Sequence, residues 1–155
     1  MRSVSNVFLI DSNILVYPYD PRDQAKQHQS YRVLDQLIGL QQAVLSVQCL
    51  SEFFNVATRR LPDPLSQTEA LTRITHLASV CHVLDLTPTV VLEGCRATTR
   101  HSLSVWDALI WAAAKLNQVP YVLTEDSEHG RVVEGVRYLN PFAPEFDFTM
   151  LGGQT

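Results

Sequence analysis

Two short, wholly apolar runs in this chain each lead into an acid. Val7 to Ile10 passes straight into Asp11-Ser12-Asn13, and Tyr121 to Leu123 passes into Thr124-Glu125-Asp126. A run this short with no polar residue suits a strand buried on both faces, the habit of a parallel sheet covered by helices. Parallel strands need long crossover connections, and the intervening sequence is patterned to supply them.

Asp23 to Leu40 reads as a helix, with Tyr31, Leu34, Leu37 and Ile38 near one face and Gly39 marking its end. Ala43 to Leu45 is a candidate short strand. Val47 to Arg60 is helical: Leu50, Phe53, Phe54 and Ala57 recur at i, i+3, i+4 and i+7 as an apolar stripe. The prolines of Leu61 to Ser66 stop that helix. Ser66, with Glu69 three residues on, opens a helix to Ser79 as a capping box. His82 to Leu84 is a strand candidate, and Thr87-Pro88 starts a helix to about Arg100 in the N-cap, N1 manner. Ser104 caps a further helix to about Leu116. Val136 to Leu139 is a last short strand, and the tail from Asn140 looks irregular. Strands alternating with helices define an α/β class with a mainly parallel sheet flanked by helices. The 155 residues suit one domain, residues 1–155, with a core over about 7–139 and a tail over about 140–155.

Apolar residues at 46% and charged residues at 18% are a globular balance. Cys49, Cys81 and Cys95 are odd in number and form no C-x-x-C pair, which excludes a disulfide framework and points to a reducing compartment. The Val7 to Ile10 run is too short for a signal segment, and no stretch approaches the roughly 20 apolar residues of a membrane span. The expectation is a soluble, cytoplasmic protein. The net charge of −4 argues against a simple nucleic-acid clamp. It is compatible with acids gathered to hold a cation, because bound ions reverse the local sign.

Asp11 and Asp126 both follow strand ends, the edge where open parallel sheets bind ligands. A turn aspartate bonding its own backbone would look the same in sequence. Glu52 falls with Gln48, Asn55 and Arg59 opposite the Leu50/Phe53 stripe, a pattern that fits a solvated face or a cleft lining equally. Asp107 stands three residues after Ser104, where a cap and the helix dipole also favour an acid. The residues after it, Ala108 to Ala114, are small or apolar, so the helix is buried and an acid at its mouth faces a cleft or needs a partner. Four converging carboxylates repel one another unless a cation joins them. An all-oxygen set selects Mg²⁺ or Mn²⁺. His28, His76, His82 and His101 are scattered without metal-ligand spacing, and His129 alone follows an acid closely.

Taken together, these segments resemble the motifs of the PIN-domain ribonuclease family. Leu9 to Tyr17, L-I-D-S-N-I-L-V-Y, resembles the first. Ser46 to Val56, S-V-Q-C-L-S-E-F-F-N-V, resembles the second, with Glu52 as its acid. Ser102 to Ala114 resembles the third, with Asp107. Val122 to Gly130, V-L-T-E-D-S-E-H-G, resembles the fourth, with Asp126 as the acid, Glu125 as the second candidate and Thr124 as the small hydroxyl before it. The four occur in order from Val7 to Leu139. The single-domain size resembles the VapC toxins of bacterial VapBC toxin–antitoxin pairs. That resemblance implies a Mg²⁺-dependent endoribonuclease, frequent homodimerisation and inhibition by a cognate antitoxin.

On this reading Asp11, Glu52, Asp107 and Asp126 are ligands for one or two Mg²⁺ or Mn²⁺ ions, and a bound water is activated for attack on the phosphodiester. Asn13 and Ser12 would position Asp11 or a metal water, and Thr124 would bind one. Arg59, Arg96, Arg100 and Arg131 are the candidate phosphate contacts. Phe142, Phe146 and Phe148 would stack bases, or dock the tail or an antitoxin. Two rival readings differ in class. An aspartyl-phosphate phosphatase wants Asp-x-Asp after the first strand, where this chain has Asp11-Ser12-Asn13; a receiver domain wants a late strand-end lysine, and Lys115 lies in a helix. A non-catalytic PIN-like binding module would tolerate loss of acids, and here all four are present.

Overall fold

A computed structural model describes residues 6–152. The elements run β1 (Phe8–Ile10), α1 (Ser12–Val16), a 3-10 turn (Tyr17–Tyr19), α2 (Gln24–Gly39), β2 (Ala43–Ser46), α3 (Val47–Arg59), α4 (Gln67–Val80), β3 (His82–Leu84), α5 (Pro88–Arg100), α6 (Val105–Leu116), β4 (Tyr121–Leu123), β5 (Val132–Val133), β6 (Val136–Leu139) and a closing 3-10 turn (Phe148–Leu151). The strands form one six-stranded sheet in the order β3-β2-β1-β4-β6-β5. Every pairing is parallel except β5 with β6. This is a single α/β domain with a mostly parallel sheet, as the alternating pattern predicts.

Strand order reverses beside β1. The chain builds outward through β2 and β3 on one side, and through β4 and β6 on the other. The crevice beyond the carboxyl ends of β1 and β4 is therefore the topological switch point, the place where such sheets take ligands. Register fixes what arrives there. Ile10 pairs with Leu123, and the Asp11 N–H donates to the Leu123 carbonyl at 2.9 Å. Asp11 and Thr124 thus leave the sheet side by side.

Phe8, Leu9 and Ile10 are fully buried, as are Leu45, Leu123 and Leu139. In α6 every residue from Ala108 to Ala114 is buried. Its Trp111 indole keeps a polar partner by donating to the Val133 carbonyl at 3.0 Å. Small residues let α5 lie close to α6: a Cβ on Gly94 would meet Leu109 Cδ2 at 3.0 Å and the Ala108 carbonyl at 3.2 Å. The helix that carries Asp107 is pinned on both sides by apolar packing.

Four expectations change. Asp-Ser-Asn after β1 is not only a turn: Asp11 caps α1, whose Ile14, Leu15 and Val16 are all buried. Five residues with one continuous apolar run carry no helical period. The hairpin β5–β6 also lacks a sequence period. It turns on Glu134 and Gly135, both at positive φ (46° and 87°), the backbone that a two-residue hairpin loop requires. In α3 the buried positions are Cys49, Phe53 and Ala57, while Leu50 and Phe54 are half-buried. Glu52 therefore flanks the buried face rather than standing opposite it. The tail is not wholly irregular, since Phe148–Leu151 forms a 3-10 turn that buries Leu151 completely. Phe142 packs edge-on against Tyr17, Phe146 against Phe148 and His129, and Arg32 lies over Phe148. Those aromatics dock the tail. No helix among the described residues is long and apolar enough to cross a membrane.

Candidate metal centre

Asp11 is held from two directions. One carboxylate oxygen caps α1, accepting from the Ser12 N–H at 2.7 Å. The other accepts from the Thr124 hydroxyl at 2.7 Å. Only 4% of the residue is exposed. Burial pushes its pKa up to about 6; the nearby charges of Glu52 and Asp126 add to that, and the two hydrogen bonds oppose it.

Thr124 links the two strand ends. Its hydroxyl oxygen, besides donating to Asp11, accepts from the Asp126 N–H at 3.1 Å and from Asn13 Nδ2 at 3.3 Å. Asn13 Nδ2 also donates to Asp126 Oδ2 at 3.1 Å. Asp126 is raised above the ordinary carboxylate range, first by burial and then by the charges of Asp107 and Glu125. The two adjacent acids are placed differently. Glu125 turns away from Asp126: it accepts from the Tyr17 hydroxyl at 2.6 Å and from Lys26 Nζ at 2.8 Å.

Asp107 enters from α6. Ser104 caps that helix by accepting from the Asp107 N–H at 3.1 Å. At the other capping box the Ser66 hydroxyl bonds the Glu69 carboxylate at 3.1 Å. No such return bond forms between Asp107 and Ser104 among the described residues, so the Asp107 carboxylate faces the cleft. One carboxylate oxygen from each of Asp11, Asp107 and Asp126 lies within 4.8 Å of the other two. Asn13 Oδ1 is buried beside them without a hydrogen-bond partner.

Glu52 is near this trio but outside it. Its two oxygens accept from the Ser12 hydroxyl at 2.8 Å and from Gln48 Nε2 at 2.7 Å. It touches Asp11 through Ser12, and lines the cleft with Val56, Arg60, Trp106 and Tyr17.

An all-oxygen donor set of three aspartates, two with raised pKa, plus an unpartnered amide oxygen, fits a hard divalent cation. It does not suit zinc, because neither sulfur nor imidazole is present. Cys49 is buried beneath the site, and desolvation raises its thiol to about 12. The three cysteines are unpaired.

The arginines fall differently from the sequence expectation. Arg59 is exposed and outside the cleft lining; Arg60 lines it instead. Arg60 is the C-cap of α3, so a helical wheel continued through it misplaces its side chain. Arg96 is engaged with Glu93 and Glu134, which Lys115 also contacts. Arg100 is exposed at the end of α5, and Arg131 lies near Tyr138 at the base of the hairpin. His129 is taken up structurally, with Nδ1 accepting from the Asn140 N–H at 3.0 Å. His101 bonds Glu134 at 2.8 Å. Sequence reading missed Arg60 and Trp106 on the cleft wall and the Tyr17–Lys26–Glu125 cluster at its edge. Only the position of Trp106, directly before Asp107, left a trace in the sequence.

This architecture, an open parallel sheet with aspartates converging at its switch point, is matched by the PIN-domain family model over residues 8–135. The chain belongs to the PIN-domain family. Its structural neighbours are toxins of the VapC type. A toxin–antitoxin complex from Klebsiella pneumoniae superposes with a TM-score of 0.64 at 17% identity, covering 86% of this chain and 97% of that one. VapC20 of Mycobacterium tuberculosis, described as a toxin cleaving the sarcin–ricin loop, gives 0.57 at 16% identity over 74% and 86%. VapBC2 of Rickettsia felis, bound to a promoter DNA fragment, gives 0.62 at 13% identity over 85% and 96%. No curated protein matches the chain in sequence.

Proposed function

We propose that this chain is a Mg²⁺- or Mn²⁺-dependent endoribonuclease, the toxin of a toxin–antitoxin pair. The observation that carries the reading is the convergence of Asp11, Asp107 and Asp126 within 4.8 Å at the switch point of a PIN fold. These three would hold the ion or ions, with Glu52 completing the acidic wall. A divalent ion in such a site supplies Lewis acidity toward a phosphoryl oxygen and a bound water of lowered pKa.

The chain's own residues prepare the site. Thr124 keeps Asp11 oriented and ties it to the Asp126 backbone. Asn13 holds Asp126 in place, and its unpartnered Oδ1 adds an oxygen acceptor beside the trio. Ser12 and Gln48 fix Glu52. Burial makes Asp11 reluctant to ionise alone, so a cation and the Asp11 charge favour each other. Arg60 brings the positive charge a phosphodiester needs.

An RNA substrate is supported by the family and by the cleavage activity of VapC20. An antitoxin partner is supported by the neighbours that come from toxin–antitoxin complexes. A homodimer and a cytoplasmic location complete the proposal. The test is cleavage of a panel of cellular RNAs by purified, antitoxin-free protein and by Asp11→Asn. Cleavage with Mg²⁺ or Mn²⁺ that is lost in EDTA and in the variant is expected. No metal-dependent cleavage of any RNA by the wild type would overturn the reading in favour of a binding module.

A further inference from the structure

One wall of the cleft serves no metal. Trp106 opens α6 immediately before Asp107, with 65% of its surface exposed. An indole that exposed leaves a large flat apolar surface in water, with little to hold it there unless something covers it. Trp106 does not stand at random on the surface. It lines the cleft lobe of about 280 Å³ that holds Asp11, Asp107 and Asp126. It also lines the adjoining lobe of about 740 Å³ that follows α3 along Gln48, Asn55 and Arg60.

Its backbone is fixed to the acids. The Trp106 carbonyl accepts from Gln48 Nε2 at 3.1 Å, and the same amide nitrogen holds Glu52 at 2.7 Å. Arg60 lines both lobes as well, and it joins no ion pair among the described residues. The other arginine of the inner lobe, Arg22, is held by both oxygens of Asp20. A π-face, an uncommitted guanidinium and a carboxylate trio therefore line one groove. These are the groups that a base, a neighbouring phosphate and the reacting phosphate of a nucleotide strand would need.

Building on the ribonuclease reading above, we infer that Trp106 is the base-stacking platform with which this cleft holds the nucleotide at the reacting phosphate. A base beside the reacting phosphate lies on the indole, and Arg60 takes an adjacent phosphate. Inside a duplex both faces of a base are already covered by its neighbours. Only a nucleotide in a loop, bulge or single strand offers a free face without unstacking. Trp106 is then a specificity residue, distinct from the aspartates that hold the ion.

Fluorescence reads this directly. The chain has two tryptophans, and Trp111 is fully buried, so the solvent-exposed emission belongs to Trp106. The probes are a short mixed-sequence single-stranded RNA and the same sequence annealed into a perfect duplex, with Ca²⁺ in place of Mg²⁺ to slow turnover. The single strand is expected to quench the exposed emission and to protect it from acrylamide; the duplex leaves it open. Trp106→Ala weakens single-strand binding by roughly 5- to 150-fold, the range that loss of one stacked base gives. Trp106→Phe restores most of it. In cleavage assays Trp106→Ala raises KM on unpaired RNA and leaves its melting curve unchanged.

Wild-type affinity in Trp106→Ala, or an emission indifferent to single-stranded RNA, overturns the inference. So does an indole shielded from acrylamide in the free protein and opened by dilution, which would place a second copy of the chain over it. These failures are separable from failure of the nuclease reading. Cleavage by wild type with unchanged cleavage by Trp106→Ala sinks only the stacking role, whereas quenching by RNA without any cleavage sinks only the activity.

Discussion

Replacing Asp11 by asparagine is expected to raise the stability of the metal-free protein near neutral pH while removing its response to metal. The Asp11 carboxyl, 4% exposed, has its pKa raised from 3.8 to about 6, chiefly by burial and further by Glu52 and Asp126. That interval corresponds to about 3 kcal/mol against the ionised form. The folded value lies above the unfolded one. The penalty is therefore absent below 3.8, grows as pH rises toward 6, and is complete above it. Asparagine removes the charge but gives one amide N–H₂ where Thr124 donates its hydroxyl, a loss of about 1 kcal/mol. About 2 kcal/mol remains, which for a domain of this size raises the melting temperature by roughly 4–8 °C. Thermal melts in EDTA at neutral pH and near pH 4 check it. The variant melts higher at neutral pH, and the gap closes or inverts in acid. Added Mn²⁺ stabilises wild type through native-state binding and leaves the variant unmoved. A variant that melts below wild type by the same margin at both pH values would refute the reasoning. Asp11 would then be an ordinary structural acceptor.

Two further substitutions probe the supports of the site. Gly94→Val drives side-chain atoms against Leu109 and the Ala108 carbonyl; overpacking of this kind costs about 1–3 kcal/mol, read as a lower midpoint in urea. Wild-type stability in this variant would mean that α5 moves freely off α6. Glu93 is held down to about 2 by Arg96 and Lys115, and Glu134 to about 2 by His101 and Arg96. With folded values below the unfolded ones, their contribution is present above about 4.5 and is lost as pH falls from there toward 2. Glu93→Gln is expected to flatten the acid limb of the stability profile, measured by urea titration across that window.

Most of the frame was legible because its signals are local. Apolar runs named β1 and β4, and Ser66, Thr87 and Ser104 marked their helices by capping chemistry that the structure shows in hydrogen bonds. What escaped depends on distance along the chain. Two runs ending in acids do not state that β1 and β4 are neighbours; parallel pairing across more than a hundred residues does. Glu52 and Asp107 both had local explanations, a polar helix face and a cap. Only the tertiary fold shows that the Asp107 N–H takes the Ser104 cap while its carboxylate joins the trio, and that Glu52 is held through Ser12. Arg59 and Arg60 adjoin in sequence, and the helix end between them decides which reaches the cleft. Glu134 gave no warning that its charge would engage Arg96, Lys115 and His101.

The most direct measurement is Mg²⁺-dependent RNA cleavage by wild type, Asp126→Asn and Glu125→Gln, purified in parallel and free of partner. The two acids are adjacent in sequence and separated only by where the fold points them. Cleavage that disappears in Asp126→Asn and in EDTA but persists in Glu125→Gln is predicted, since Asp126 joins the trio and Glu125 binds Tyr17 and Lys26. Full activity in Asp126→Asn, or loss confined to Glu125→Gln, would contradict the assignment of Asp11, Asp107 and Asp126 as the metal-holding set.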